Sequence, residues 1–283
     1  MKTSACLYLL MVAMVAPSHV SAQRAVGAPH LPSAAVTHPV LLSQADDRRL
    51  KKNRSEQQAL AEQVMELNRE KLLGFICTDN GIDWPSPCPA CGGKLIFTFA
   101  HPDALFCKAC KTVVRENEAA WTGAIGGTSK GGREIAFHYE GKGRNRRFTG
   151  ALLRNYRHAK LAEAARALGR LYTETGNEAL ARRAILILAR FADVFPEWPV
   201  IRIESFPRPA KFCINPPRPY NTWTHYKWRH TNNYDIPYDL TFAYDFVYDA
   251  KAWENLPGGR SHVESNLLRA GHTQAWTTHE DMG

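Results

Sequence analysis

Four cysteines in two close pairs constrain this chain more than any other feature: Cys88-Pro-Ala-Cys91 and Cys107-Lys-Ala-Cys110, with 15 residues between the pairs. A Cys-x-x-Cys knuckle can aim two thiolates at one point. A β-hairpin across the intervening residues would bring the second pair to the same point, so the spacing predicts a zinc-ribbon-like unit with tetrahedral zinc held about 2.3 Å from each sulfur. Gly92-Gly93 follows the first pair and permits the tight turn. Four protein ligands leave no position for water, so the expected zinc is structural. In an oxidising compartment the same sulfurs can instead close two disulfides. A ribbon can also bind nucleic acid, but Lys94, Lys108 and Lys111 read more economically as a solvated face. Cys77 and Cys213 stand apart, as buried thiols or as one distant disulfide.

The compartment is read from the N-terminus. Lys2 precedes the apolar run Leu7 to Ala16, and Ser-His-Val-Ser-Ala ends at Ala22, the pattern of a cleaved export signal; an anchor retained in the membrane is the other reading. Cleavage leaves 261 of the 283 residues with a formal charge of +8, and no later run is apolar for long enough to span a bilayer. The expectation is a periplasmic or secreted protein with no nucleic-acid partner. A 45% hydrophobic and 22% charged composition excludes general disorder. The excess of Lys and Arg would attract a polyanion without saying which.

Four segments follow: 1–22 as signal, 23–54 as a linker or extended wrap, 55–120 as a helix plus the four-cysteine unit, and 121–283 as helical hairpins. Ser55 and Gln58 form a capping-box pattern ahead of the stripe Leu60, Val64, Leu67, Leu72. Leu95 to Phe99 reads as part of small β-hairpins. The glycine-rich, basic stretch 121–150 is expected to cross the surface irregularly. Leu152, Tyr156, Ala159, Ala162, Ala165, Leu168 and Tyr172 mark one helix, closed by Gly176. Asn177 caps a second, striped by Leu180, Ala184, Ile187, Leu188 and Phe191 and ended by Pro196. Residues 196–235 carry seven prolines and include Trp198, Trp223, Tyr226, Trp228 and Tyr234, a long loop suited to a binding edge or to a wrap over the helices. Asp235 and Pro237 start a third helix, with Ile236, Leu240, Tyr244 and Val247 inward.

His38-Pro39-Val40-Leu41-Leu42, Asp46-Asp47-Arg48-Arg49-Leu50, the helical hairpin and Tyr238-Asp239-Leu240-Thr241-Phe242-Ala243-Tyr244-Asp245 together resemble the N-terminal part of heparinase II/III-like and alginate-lyase-like polysaccharide lyases, over roughly residues 38 to 283. The four-cysteine unit is a departure from the simplest pattern of that family. The resemblance implies a mainly α fold, an incomplete (α/α) toroid of helical hairpins with the zinc-ribbon-like β insertion, and β-elimination on an acidic, uronate-containing polysaccharide. It also implies that the catalytic half and the β-sandwich region of such enzymes are missing here, leaving the isolated chain inactive. The alternative is a noncatalytic glycan-binding or cell-envelope scaffold protein.

No catalytic residue is assigned. Asn232, Asn233, Tyr234, His225 and His230 have suitable groups but match no family motif, and turn, helix-start or packing roles suit the Asn and Tyr residues better; His272 and His279 are equally unassigned. Trp223, Tyr226 and Trp228 can cover the apolar face of a sugar, or pack into the core. Arg144, Arg146 and Arg147, with Arg154 and Arg157, can steer an anionic glycan or form an ordinary exposed basic face.

Overall fold

Helix boundaries follow local chemistry. The computed structural model describes residues 38–39, 53–82, 86–128, 131–199, 201–204, 211–214, 224–227 and 238–271, all within one unit, Thr37–Gly283. The first helix among the described residues, α1, spans Arg54–Glu66 and buries Gln57, Leu60, Ala61 and Val64, the spacing that puts four side chains on one helical face. The expected capping box does not form: Ser55 lies inside the first turn after Asn53, and Gln58 donates instead to Glu62 at 3.0 Å. Leu67 is extended, and Asn68 accepts the Lys71 N–H at 2.8 Å to start a new helix, α2, Arg69–Gly74. The single helix expected through Leu72 is therefore two.

Three short antiparallel strands follow, β1 Leu95–Ile96, β2 Leu105–Cys107 and β3 Val113–Val114, in that spatial order. The stretch 121–150, expected to be irregular, instead holds a regular hairpin of β4 Gly123–Thr128 and β5 Glu134–Tyr139. Ile125, Ile135 and Phe137 alternate onto its inner face and pack with Ile82, Phe148 and Ala151 as a small core of their own. Alternation over so few apolar residues was hidden by the glycines around it.

The longest helix, α3, Thr149–Thr175, packs against α1, against α4 (Glu178–Val194) and against α5 (Tyr238–Phe246). Gly176 ends α3 at φ 65°, its N–H bonding the Tyr172 carbonyl at 2.8 Å, and Asn177 accepts the Ala179 N–H at 3.0 Å to open α4. These are the stop and start signals read from the sequence. Replacing Asn177 with alanine is expected to cost about 1 kcal/mol and to lower the thermal midpoint by about 2–4 °C. An unchanged midpoint in a calorimetric scan would show that the cap contributes nothing.

Between α4 and α5, the segment expected to be a loop contains three strands, β6 Ile201–Glu204, β7 Lys211–Ile214 and β8 Thr224–Lys227, with β6 central and antiparallel to both neighbours. Asp235, Ile236 and Pro237, the expected start of the third helix, lie outside the described residues. A 3-10 turn, Lys251–Asn255, leads to a short helix, α6, Gly259–Val263, which runs on into a π-turn over Glu264–Arg269.

The fold is thus mainly helical with small antiparallel sheets. Its main core joins Leu60 and Val64 of α1, Leu95 and Leu105 of the cysteine-bearing sheet, and the facing sides of α3, α4 and α5. Two arginines of α4 tie the first helices down: Arg183 donates to the Met65 carbonyl at 3.0 Å and Arg190 to the Ile76 carbonyl at 3.1 Å. The first satisfies a carbonyl that the end of α1 leaves open. Among the described residues, no helix is long and apolar enough to cross a membrane.

Candidate metal centre

The two Cys-x-x-Cys segments fold as copies of one turn. In the first, the Cys88 N–H bonds the Gly93 carbonyl at 2.9 Å and the Gly92 N–H returns to the Cys88 carbonyl at 2.8 Å. In the second, the Cys107 N–H bonds the Thr112 carbonyl at 2.9 Å and the Lys111 N–H returns to the Cys107 carbonyl at 3.0 Å. The residue four places after each leading cysteine is left-handed, Gly92 at φ 72° and Lys111 at φ 65°. Glycine takes that conformation freely, whereas lysine does so against a steric cost. Lys111 is held there with its ammonium donating to the Lys108 carbonyl at 2.9 Å.

β1 and β2 then bring the turns together: Leu95 pairs with Cys107 across the ladder. The sulfur ligand atoms of Cys88, Cys91, Cys107 and Cys110 all lie within 4.8 Å of one another. Cys88 and Cys110 sulfurs are 3.6 Å apart, and those of Cys91 and Cys107 are 3.5 Å apart. Sulfurs about 2.3 Å from one ion at tetrahedral angles would be about 3.8 Å apart, whereas a disulfide needs about 2.05 Å. The four cysteines are free thiols in this arrangement. Gly93 completes the fit, because a Cβ there would stand 3.1 Å from both the Cys107 and Cys91 sulfurs. The cluster can coordinate a metal ion with protein ligands alone.

Cys88 and Cys107 are buried, while Cys91 and Cys110 are exposed. Hydrogen bonds from the Thr112 hydroxyl and backbone pull the Cys110 thiol down to about 6, and its bond with Cys110 pushes the Cys91 thiol up to about 12. Thr112 Oγ1 lies 3.1 Å from the Cys110 sulfur. Lys111 was read from the sequence only as part of a solvated face and Thr112 was not singled out; the repeat of the Gly92-Gly93 positions at Lys111-Thr112 was the available signal.

A groove of 520 Å³ separates this sheet from α3, bordered by Lys94 and Lys108 on one side and by Lys160 and Arg166 on the other. The far pair is neutralised, Lys160 by Glu163 at 2.8 Å and Arg166 by Asp239 at 2.7 Å. Burial pushes the Asp239 carboxyl up, while Arg166 opposes that rise.

The residues considered for glycan contact are distributed differently. Arg147 pairs with Glu140 at 2.8 Å across a β-bridge, and the Arg146 guanidinium lies 4.9 Å from the Tyr139 ring centroid. Arg144 sits in the 3-10 turn Gly143–Asn145. Arg154 donates to the Asn80 carbonyl at 3.4 Å, and Arg157 to the Pro102 carbonyl and, at 3.1 Å, to Asp103. Arg147, Arg154 and Arg157 thus each bridge to another segment of the chain. Tyr226 pairs with Arg202 in the β6–β8 ladder, while Trp223, Trp228, Asn232, Asn233, Tyr234, His230, His272 and His279 lie outside the described residues.

A second polar cluster joins distant parts of the chain. His38 Nδ1 lies 2.6 Å from Asp245 Oδ1, and its ring stacks on Tyr248 with centroids 3.8 Å apart. The Arg260 guanidinium also lies 4.3 Å from the Tyr248 ring centroid. Asp245 is almost fully buried, and a buried carboxylate needs such partners. Tyr244 donates to Glu264 nearby, and burial raises its phenol. Comparison with known proteins finds no matching family model, no matching curated protein and no matching solved structure.

Proposed function

We propose that the chain is the N-terminal part of a heparinase II/III-like polysaccharide lyase, exported to the periplasm or beyond, that cleaves a uronate-containing glycan by β-elimination. The helices α3, α4 and α5 form part of an incomplete (α/α) toroid in this reading. The contact between His38 and Asp245 supports it most directly: these residues belong to two of the motifs that carry the resemblance, lie 207 positions apart, and meet at 2.6 Å. The four cysteines hold zinc in a zinc-ribbon-like unit, since an all-thiolate donor set at tetrahedral spacing suits zinc and leaves no open position for substrate. The metal is therefore structural, and the elimination chemistry falls to protein side chains.

That reaction removes the proton beside the uronate carboxylate and expels the 4-linked oxygen. It requires a group to neutralise the carboxylate, a base and a proton donor; the side chains that supply them are not identified among the described residues. The test is incubation of the full encoded protein with uronate polysaccharides, read by the ultraviolet absorbance of the unsaturated product. Product formation is the expected result. Glycan binding with no absorbance gain would replace the lyase with a noncatalytic glycan-binding protein. Replacing Trp223 with alanine is expected to weaken glycan affinity more than thermal stability; the reverse pattern would make the indole a packing residue.

A further inference from the structure

A cleft of 610 Å³ lies between the end of α1, the start of α2, the first half of α4 and the turn after α5. That is within the range of about 300–1,000 Å³ typical of small-molecule sites. Three guanidinium-bearing residues line it, Arg69, Arg182 and Arg183, and no Asp or Glu does. Among the described residues, Arg69 and Arg182 have no ion-pair partner, and both are exposed at the rim. Arg183 is set deeper, donating to the Met65 carbonyl at 3.0 Å. Burial pulls its guanidinium below the usual arginine value, as expected for a cation taken from water without a countercharge. The remaining wall is largely apolar, with Met65, Leu186, Leu256 and Pro257.

This combination differs from the groove beside the cysteines, where half of the cations already have carboxylate partners. A planar guanidinium offers paired donors that match a carboxylate or sulfate, and the aliphatic wall suits the C–H face of a sugar ring. Arg182 also lies about 18 Å along α4 from Val194, where the helix ends ahead of the proline- and aromatic-rich stretch.

We propose that this cleft is a second, noncatalytic subsite for an acidic sugar unit, with Arg69 and Arg182 holding its carboxylate or sulfate and Arg183 supplying charge from below. The assignment rests on the reading of the protein as one that acts on an acidic glycan. In the resulting picture, the glycan is held at one end of α4 while other residues carry out the chemistry elsewhere.

The test is calorimetric titration of the full protein, as wild type and as the double variant Arg69→Ala/Arg182→Ala, with an unsulfated oligouronate, a sulfated oligosaccharide and inorganic sulfate. Both substitutions are at exposed positions, and a thermal scan verifies folding. Arg69→Lys/Arg182→Lys, which keeps charge but loses the paired donors, guards against a purely long-range effect. The expected result is an affinity for one oligosaccharide that falls about tenfold or more in the alanine variant, with a shallower salt dependence, and falls by a smaller factor in the lysine variant. Preference between the two oligosaccharides identifies the anion as carboxylate or sulfate. Wild-type binding that the alanine variant retains in full overturns the subsite and leaves the acidic-glycan reading standing. Absence of binding to either oligosaccharide overturns both. Binding of inorganic sulfate alone, or stronger competition by polyglutamate than by either sugar, overturns the assignment to a glycan.

Discussion

Replacing Cys107 with serine is expected to release the proposed zinc and lower the thermal midpoint by on the order of 10 °C. The hydroxyl does not replace a thiolate ligand, and all-protein zinc sites contribute about 10–16 kcal/mol of apparent binding energy near neutral pH. Losing even about 4 kcal/mol of that would move a domain of this size by roughly the stated amount. The damage should also spread. Cys107 is fully buried within the main core, and Phe97, beside the same sheet, packs edge-on against both Phe75 and Phe99 with centroids 5.8 and 5.3 Å apart. Cys91→Ser should release metal as well, with less loss of packing because Cys91 is exposed. Metal content and unfolding measured on the same preparations decide the matter: full metal retention with an unchanged midpoint would exclude these thiolates as ligands. Thiol titration of the unfolded, chelated wild type separates metal from disulfides, since reactive thiols at these positions are expected only from the former.

Trp198→Ala is the other substitution with a large expected effect, about 3–5 kcal/mol, set against a total stability of about 5–15 kcal/mol. Trp198 is completely buried. Its ring stacks on His158 at 4.6 Å and meets Phe191 edge-on at 6.1 Å, and its indole N–H donates to the Cys77 carbonyl at 3.1 Å. Removing it leaves a cavity and an acceptor without its donor. His158 would also lose its stacking partner while still accepting the Cys77 N–H at 3.0 Å. Trp198→Phe, which refills most of the volume but cannot donate, should recover a large part of the loss. Equal midpoints for the alanine variant and wild type in denaturant titration would contradict this account of the core.

Much of the helical hairpin and the cysteine cluster was legible because each depends on local chemistry. Gly176 and Asn177 stop and start helices through their own backbone and side-chain preferences, and the four cysteines need only two turns and a hairpin. The break at Asn68 was missed because apolar periodicity continues through Leu72 while the cap that interrupts it is a single residue. The hairpin at Gly123–Tyr139 was missed for the opposite reason: glycines dilute its alternation, and its inner residues acquire meaning only when Ile82 and Phe148 arrive from outside the hairpin. The basic residues were the least legible. Whether Arg157 faces solvent or grips the Pro102 carbonyl depends on a neighbour 55 positions away, and nothing in the spacing of Arg69, Arg182 and Arg183 announces that they share a cleft.

The clasp between His38 and Asp245 imposes a timetable on synthesis. At about 5–20 residues per second, a ribosome needs roughly 10–40 s to travel from the first partner to the second, and through that interval the imidazole has no acceptor to dock against. The cysteine turns, by contrast, are complete within a few dozen residues and can capture an ion while α3 is still being made. The two cysteine turns can therefore close early, while the segment bearing His38 is fastened last, when the contacts around Tyr248 form.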